Sequence, residues 1–457
     1  KGGLTSAIYT EVLQFFMIVL GFAPVVFLGL KDVGGWHSMN KSLQTVATNN
    51  GFAADAWSSA WRPLIAGPAN NPMGVDIFAM VFGLGFVLSF GYWCTNFLVV
   101  QRAMAAKNMT AARNTPLVAA VPKMFFPFLV IVPGMIAVAL TANPGKDYRI
   151  PPPPISQASY AAAVDAVKSS NPAQADAAVA AVSAALGQKV DAAKITSLVS
   201  ADVGGKLSDE QIKQGIYNSI EADDYDGVIL SLVKKYCPSG LLGLALTALL
   251  ASFMSGMAGN VTAFNTVFTY DLYQAYFAPG RSDHHYFWTG KVITVVGILL
   301  SIGAAYFASQ YNNAMDIIQL VFGFVNAPLF ATFLLGMFWK RTTGTGAFLG
   351  LFAGIASSAI FHSLTIAHGN MPGVKGGYLH VVQEFPSEMA QNFWLAAFAF
   401  TVCFTLTLVI SLATARTKSD AELKGLVYSL TPKIVDNNIP VYQKPAVVGV
   451  VLLIVCV

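Results

Sequence analysis

Two serines, Ser252 and Ser255, stand three residues apart in a stretch from 236 to 270 that holds no Asp, Glu, Lys or Arg over 35 residues. On a helix that spacing puts both on one face. With Asn260, Thr262, Asn265 and Thr266 they give the segment an unusual density of neutral hydroxyl and amide oxygens. Such oxygens suit a hard monovalent cation, whereas a transition metal would want His or Cys. Small polar residues also serve plain helix packing, so both readings stay open on the residues alone. Two ionisable side chains are further candidates: Glu11, in Tyr9-Thr10-Glu11-Val12-Leu13-Gln14, and Lys123, in Pro122-Lys123-Met124. Both fall within apolar surroundings, where an ionisable group is costly and marks a cavity, a partner or an ion path. Snorkelling of a charge near a helix end to the interface is the competing account of each. His362 could carry a proton, although a buried neutral histidine is the simpler account.

Helix breakers add a second kind of chemistry. Gly83, Gly85 and Gly91 interrupt one apolar stretch, the last directly before Tyr92-Trp93-Cys94-Thr95-Asn96, and Pro122, Pro127 and Pro133-Gly134 punctuate the next. Interruptions of this sort free backbone groups that can hold ions and solutes at mid-membrane depth; an ordinary packed kink would use the same residues. No Walker motif, GxSxG, HExxH or dinucleotide fingerprint occurs, and Gly344-Thr345-Gly346-Ala347 lacks the Lys-Ser/Thr of a phosphate loop. Enzyme chemistry therefore has no positive support. Cys94, Cys237, Cys403 and Cys456 show no CxxC or Cys/His spacing, which argues against a disulfide framework or zinc site. The acidic run Asp223, Asp224, Asp226, Gly227 has Ala222 and Val233 where a calcium loop needs acids, and reads as a solvated turn.

The elements that must position these residues follow from charge placement. Of 457 residues, 55% are hydrophobic and only 11% charged, against about a quarter charged in ordinary soluble domains. Runs free of Asp, Glu, Lys and Arg cover 77–101, 124–145, 236–270, 292–315, 317–339, 342–374 and 389–415, with shorter ones at 12–30 and 445–457. About 20 apolar residues cross a bilayer as a helix. The chain thus reads as an all-α polytopic membrane protein with nine spans, near 4–30, 76–99, 117–141, 239–273, 289–311, 316–338, 345–366, 390–414 and 444–457. Alternate short loops carry twelve Lys and Arg on one side and four on the other (Lys31, Lys41, Arg62 and Lys375), which makes the first side cytoplasmic. The net charge of +4 is mostly this asymmetry and gives no reason to expect a nucleic acid. Segment 142–238 is then external; it is Ala-rich, holds eleven of the 23 acids, and has helical composition at 157–186 and 208–221, the second opening on Ser208 and Gln211 at capping-box spacing. The expected organisation is membrane spans over 1–141, an external helical cap over 142–238, further spans over 239–338 and peripheral spans over 339–457. The opening at Lys1 without Met, and a last span that stops at Val457, lead to the expectation that part of the protein is missing.

Several ordered blocks resemble the sodium/solute symporter family, and within it the sodium/sugar (glucose/galactose) branch. They are Gly2-Gly3-Leu4 through Gln14; Tyr92-Trp93-Cys94-Thr95 with Val100-Gln101-Arg102 and Ala106-Lys107-Asn108; Lys123 with Val132-Pro133-Gly134-Met135; Gly240-Leu241 through Ala251-Ser252-Phe253-Met254-Ser255, closing on Phe268-Thr269-Tyr270-Asp271-Leu272-Tyr273; and Phe338-Trp339-Lys340-Arg341. The resemblance implies the LeuT-like inverted repeat of five plus five helices, with 4–30 as the fifth core helix, 76–99 through 316–338 as the sixth to tenth, and an N-terminally truncated first repeat. It implies Ser252 (backbone carbonyl) and Ser255 (hydroxyl) as sodium ligands, with Gly256 where a second hydroxyl is common. It implies Glu11 on the sodium exit path, Ser89, Lys123 and Gln319 as hydrogen-bond partners of a sugar, and Tyr92 as the aromatic that stacks on its ring.

The function expected is sodium-coupled symport of a small polyhydroxylated solute, most plausibly a hexose, by alternating access across a bacterial-type inner membrane. Sodium is a co-transported ion, the bilayer is the only obligate surroundings, and neither a nucleic acid nor a protein partner is inferred. A non-sugar solute (amino acid, monocarboxylate or inositol) and a symporter-like sensing module of a signalling protein are the competing expectations.

Overall fold

The computed structural model describes residues 3–58, 70–71, 73–143, 145–203, 205–308, 314–432 and 440–456. Arg62 and Lys433 of the charge count, Gly2 of the first resembling block, and the ends of the 289–311 and 444–457 spans lie outside the described residues. Among the described residues, seven helices are long and apolar enough to cross a bilayer, and a bent pair makes an eighth. They are α1 (Gly3–Asp32), α5 (Met109–Thr141), α11 (Ser239–Phe277), α12 (Asp283–Ala308), α13 (Ala314–Phe338), α14 (Gly344–Leu364) and α15 (Glu388–Ala413), with α3 (Ala79–Thr95) and α4 (Phe97–Met104) as the bent pair. The ninth expected span is a shorter apolar helix, α16 (Pro445–Cys456). Between α1 and α3 lies α2 (Gly35–Asn49), a polar helix that the apolar runs did not signal.

The prolines of α5 do not break it: the helix is continuous from Met109 to Thr141. Each proline lacks an N–H and leaves the carbonyl four residues earlier without its helical partner, so Pro127 frees the carbonyl of Lys123. The interruption falls instead after α3, where the chain bends by 48°. There Asn96 leaves helical geometry (φ −72°, ψ 114°) and caps α4, its Oδ1 accepting the N–H of Leu98 at 2.9 Å. Capping by Asn makes a fresh helix start cheap. Much of α3 (Ala79–Phe90) and parts of α11 and α13 (Val267–Phe277, Phe322–Asn326) are wound more widely, as π-helix, a rare form that is frequent at functional sites.

Packing divides the chain into two units. The first, residues 1–22, 43–129 and 243–457, has its core on α3, α13 and α15, where Val87, Leu88, Phe330, Phe393 and Phe400 are buried. Phe86 meets Phe330 and Phe400 edge-on, with ring centroids at 5.4 and 5.7 Å, the arrangement that aromatic quadrupoles favour. Glycines let backbones into contact: a Cβ on Gly83 would lie 2.5 Å from the Phe393 carbonyl, and one on Gly354 would lie 2.8 Å from Cys403 and from Pro328. Gly346, Gly350 and Gly354 line the face of α14 that packs on α15, a small-residue stripe of the kind that brings membrane helices together. A two-stranded parallel pair follows α14, β1 (Thr365–Ala367) with β2 (Gln383–Phe385).

The second unit, Ala23–Ser42 and Val130–Leu242, holds the 142–238 segment together with parts of α1, α2 and α5. The segment folds as α6 (Gln157–Lys168), α7 (Ala175–Leu186), α8 (Ala192–Ala201), α9 (Asp209–Ser219) and α10 (Val228–Tyr236). Helical composition over 157–186 resolves into two helices because Pro172 cannot continue the first and holds Asn171 extended (φ −112°, ψ 165°). Ile195, Ile212, Ile216, Val164 and Val182 form its small core. The Arg149 guanidinium donates to the carbonyls of Tyr217 and Ile220. The Ser208–Gln211 capping box is present in both halves.

Two substitutions test this packing. Gly354→Ala drives a methyl into Cys403 and Pro328 and should cost about 1–3 kcal/mol, whereas Gly336→Ala, with nothing within 4 Å of its Cβ, should leave thermal unfolding in detergent unchanged. Ser208→Ala should destabilise α9 by about 1 kcal/mol, read as faster amide exchange confined to that helix in the micelle-embedded chain.

Candidate functional site

A cavity of about 350 Å³ lies among α3, α5 and α13. Helix α3 supplies Leu84, Leu88, Ser89, Tyr92 and Trp93, α5 supplies Lys123, and α13 supplies Gln319 and Phe322. Four residues separated by up to 230 positions in sequence, Ser89, Tyr92, Lys123 and Gln319, therefore line one cavity. The Tyr92 ring lies against Phe322 with centroids 5.4 Å apart and planes tilted by 32°. The Lys123 ammonium sits 4.2 Å over the ring of Trp93. This cation–π contact is a weak substitute for a counter-ion, and among the described residues no carboxylate pairs with Lys123.

Gln319 is the most telling member. Its Oε1 is buried with no hydrogen-bond partner, and its Nε2 reaches only the thioether of Met315 at 3.8 Å. A buried carbonyl left without a donor costs about 1–3 kcal/mol, and such an atom in a cavity wall is an acceptor waiting for a donor. The cavity thus offers an acceptor at Gln319, donors at Lys123, a hydroxyl at Ser89 and stacked rings at Tyr92 and Phe322. Together these match a ligand with polar edges and an apolar face.

Ser252 and Ser255 lie elsewhere, on α11, which contributes nothing to that cavity. Ser252 is exposed and Ser255 half-buried. The hydroxyls of Thr247, Thr262 and Thr266 turn back onto carbonyls one turn earlier on α11. Among the described residues, neither serine makes such a bond. One turn beyond Ser255 on the same face, Gly259 packs against Leu98 and the Glu11–Arg102 pair; a Cβ there would lie 2.9 Å from Arg102 Nη2 and 3.5 Å from Glu11 Oε1. Arg102 Nε donates to Glu11 Oε2 at 3.0 Å and its Nη2 to Oε1. The guanidinium fork therefore grips the carboxylate with both arms. Glu11 is in this way tied across the bend of α3–α4 to the end of α4, within reach of the serine-bearing face of α11.

Sequence reasoning missed several contributors. Arg102 was visible only as part of a motif, its partner standing 91 positions away. Trp93 likewise stood only within a resembling block, and Phe322 carried no signal apart from its hydrophobicity. The Thr95 hydroxyl, 2.8 Å from both the Gly91 carbonyl and Asn326 Oδ1, joins the end of α3 to the π-helical stretch of α13. His362, considered as a proton carrier, is buried outside the cavity with Nε2 3.0 Å from the Val374 carbonyl.

Comparison with known proteins bears on this geometry. Residues 1–201 and 215–354 match the family described as the sodium:solute symporter family. Among curated relatives, the chain is 25% identical over 354 residues to a sodium/glucose cotransporter of Vibrio parahaemolyticus, covering 78% of this chain and 52% of that protein. It is 26% identical over 358 residues to sodium/glucose cotransporter 4 of Mus musculus, covering 78% and 43%. It is 24% identical over 433 residues to a sodium/myo-inositol cotransporter of Canis lupus familiaris, covering 90% and 50%. The chain spans about half the length of these relatives. With the family matched over most of the chain and an all-helical membrane architecture around the cavity, the chain belongs to the sodium:solute symporter family.

Proposed function

We propose that the protein couples sodium entry to uptake of a small polyhydroxylated solute, most plausibly a hexose, by alternating access across the plasma membrane, the inner membrane in a bacterium. The observation that carries this reading is the cavity bounded by Ser89, Tyr92, Lys123 and Gln319. A pyranose offers hydroxyls that donate to the unpartnered Gln319 Oε1 and accept from the Lys123 ammonium, while its C–H face stacks on Tyr92. Binding such a ring supplies the missing partner of Gln319, so solvation lost by the sugar is returned as hydrogen bonds. Inositol presents similar ring hydroxyls, and a relative named as a myo-inositol cotransporter keeps that solute as a second reading within the same chemistry.

Sodium is assigned to Ser252, through its backbone carbonyl, and to Ser255, through its hydroxyl. Their oxygens are neutral, as a weakly held and readily released ion requires, and Gly256 adds no second hydroxyl. Glu11 then serves the ion's path toward the cytoplasm, its charge held in readiness by Arg102. The driving force is the sodium gradient together with the membrane potential, which supplies about 2.3 kcal/mol per charge per 100 mV. Ion and solute sites lie on different helices, so their coupling is a free energy shared reciprocally by the two ligands.

In proteoliposomes, labelled glucose or galactose should accumulate under an inward sodium gradient and stop accumulating when choline replaces sodium; equal uptake in choline overturns the coupling. Gln319→Ala and Lys123→Ala should each lower uptake at least about tenfold, the equivalent of about 1.4 kcal/mol, with competition by unlabelled hexoses, inositols, amino acids and monocarboxylates identifying the solute. Ser255→Ala should raise the sodium concentration for half-maximal uptake by about 2–10-fold, as expected for loss of one neutral contact worth about 0.5–1.5 kcal/mol, while leaving the maximal rate at saturating sodium closer to that of the unaltered protein.

A further inference from the structure

A second cavity, of about 570 Å³, lies wholly within the unit that carries the 142–238 segment and is lined by Leu28, Lys31, Asp32, Lys146, Lys235 and Tyr236. Its charges do not balance. Lys146 pairs with Asp32 at 2.6 Å, and the Tyr236 hydroxyl donates to the other oxygen of the same carboxylate at 2.8 Å. Asp32 is thereby fully occupied. Burial and the adjoining Asp32 push the Tyr236 phenol well above its ordinary range, so it remains a neutral donor. Lys235 leans over Tyr148 and Tyr236 and donates to the Asp147 carbonyl at 3.3 Å, without a carboxylate partner. Among the described residues, Lys31 has no carboxylate partner either. Three ammoniums and one carboxylate leave the cavity with two uncompensated positive charges. Both Lys31 and Lys235 sit in the last turn of a helix, where the backbone dipole carries about half a negative charge per helix end; two such ends offset only about one of the two.

The depth of the cavity is fixed by the chain itself. Span α1 ends at Asp32, α5 ends at Thr141 shortly before Lys146, and α11 begins at Ser239 just after Tyr236. Three crossings of the hydrocarbon edge therefore converge on the same six residues. Leu28, one turn inward of Lys31, gives the cavity an apolar floor, and Trp36, about half exposed, stands just beyond α1, where an indole favours the headgroup level. Phosphates of the bilayer lie at this level.

We propose that this cavity binds a phosphate-bearing anion, as an anionic phospholipid headgroup presents it, through the ammoniums of Lys31 and Lys235. Lys146 and Tyr236 act as positioning residues, keeping Asp32 engaged so that its carboxylate does not repel the ligand. Nothing in this site depends on the solute or sodium assignments.

The test uses the full chain in nanodiscs of phosphatidylcholine with a minor fraction of phosphatidylglycerol, with bound lipid counted by native mass spectrometry after release. The unaltered protein should retain phosphatidylglycerol at least fivefold more than K31Q/K235Q, while K189Q/K213Q, which removes two lysines from exposed ion pairs elsewhere, should retain it normally. A second arm adds inorganic phosphate to delipidated protein. If phosphate raises the melting temperature of the unaltered chain but not of K31Q/K235Q, and the lipid counts are equal, the same site takes a free anion. Equal lipid retention by the unaltered protein and K31Q/K235Q with no differential response to phosphate, or an equal loss in K189Q/K213Q, overturns the proposal. Should the double variant fail to fold, K31Q carries the test alone, because Lys31 is exposed and, among the described residues, makes no ion pair.

Discussion

Hydrocarbon offers no water to a backbone N–H or C=O, and an unmet group there costs several kcal/mol. The long helices of this chain are the direct consequence, but the more informative consequence lies where the helices fail. At Thr95–Asn96 the ladder stops, and side chains replace it: Asn96 caps the following helix, and the Thr95 hydroxyl reaches back to Gly91 and across to Asn326. The bend is thus held by three short polar side chains together with the backbone of Asn96, whose N–H still donates to the Tyr92 carbonyl and whose carbonyl accepts from Val100. Because α3 carries Ser89, Tyr92 and Trp93 just before the bend, the same polar substitution that makes the break affordable also aims the cavity wall.

A similar economy governs charge. Eleven of the 23 acids belong to the 142–238 segment, so the membrane-embedded part has few left, and two of them are closely partnered. Glu11 is gripped by Arg102, and Asp32 by Lys146 and Tyr236. Lys123 is the exception: it rests on an aromatic face with no acid beside it among the described residues. In the same cavity Gln319 keeps an unmet carbonyl. Gln14, Asn40, Asn114, Asn326 and His362 also keep an unmet buried polar atom, so it is the sharing of one cavity wall by Lys123 and Gln319 that points to a ligand.

The spans were legible in the sequence because the physics that sets them is local: a run without charge long enough to cross lipid has few alternatives. The bend was not, since Asn96 is no more conspicuous than Asn260 or Asn265 on α11, and only the tertiary partner Asn326 distinguishes Thr95. Prolines misled in the opposite direction, as α5 runs unbroken through Pro122, Pro127 and Pro133. Of the cavity residues, Lys123 was marked by its charge in an apolar stretch, whereas Ser89, Tyr92 and Gln319 were legible only by resemblance. No periodicity links Ser89 on α3 to Gln319 on α13, and the glycine stripe at Gly346, Gly350 and Gly354 gave no sign in advance that it faced α15 and not lipid.

The relation between α11 and the Glu11–Arg102 pair joins these strands. Gly259 has no side chain because Leu98 and the guanidinium fill that space, so the helix bearing Ser252 and Ser255 lies as close to the ion pair as backbone contact allows. Arg102 belongs to α4, beyond the bend, whereas Tyr92 belongs to α3, before it. A change in the bend angle would therefore move the aromatic wall of the cavity and the arginine that holds Glu11 together, since one hinge carries both. With ion and solute proposed to bind on separate helices, some element must report one site's occupancy to the other. A broken helix with the stacking ring on one arm and the carboxylate's clamp on the other has the connectivity that this task needs.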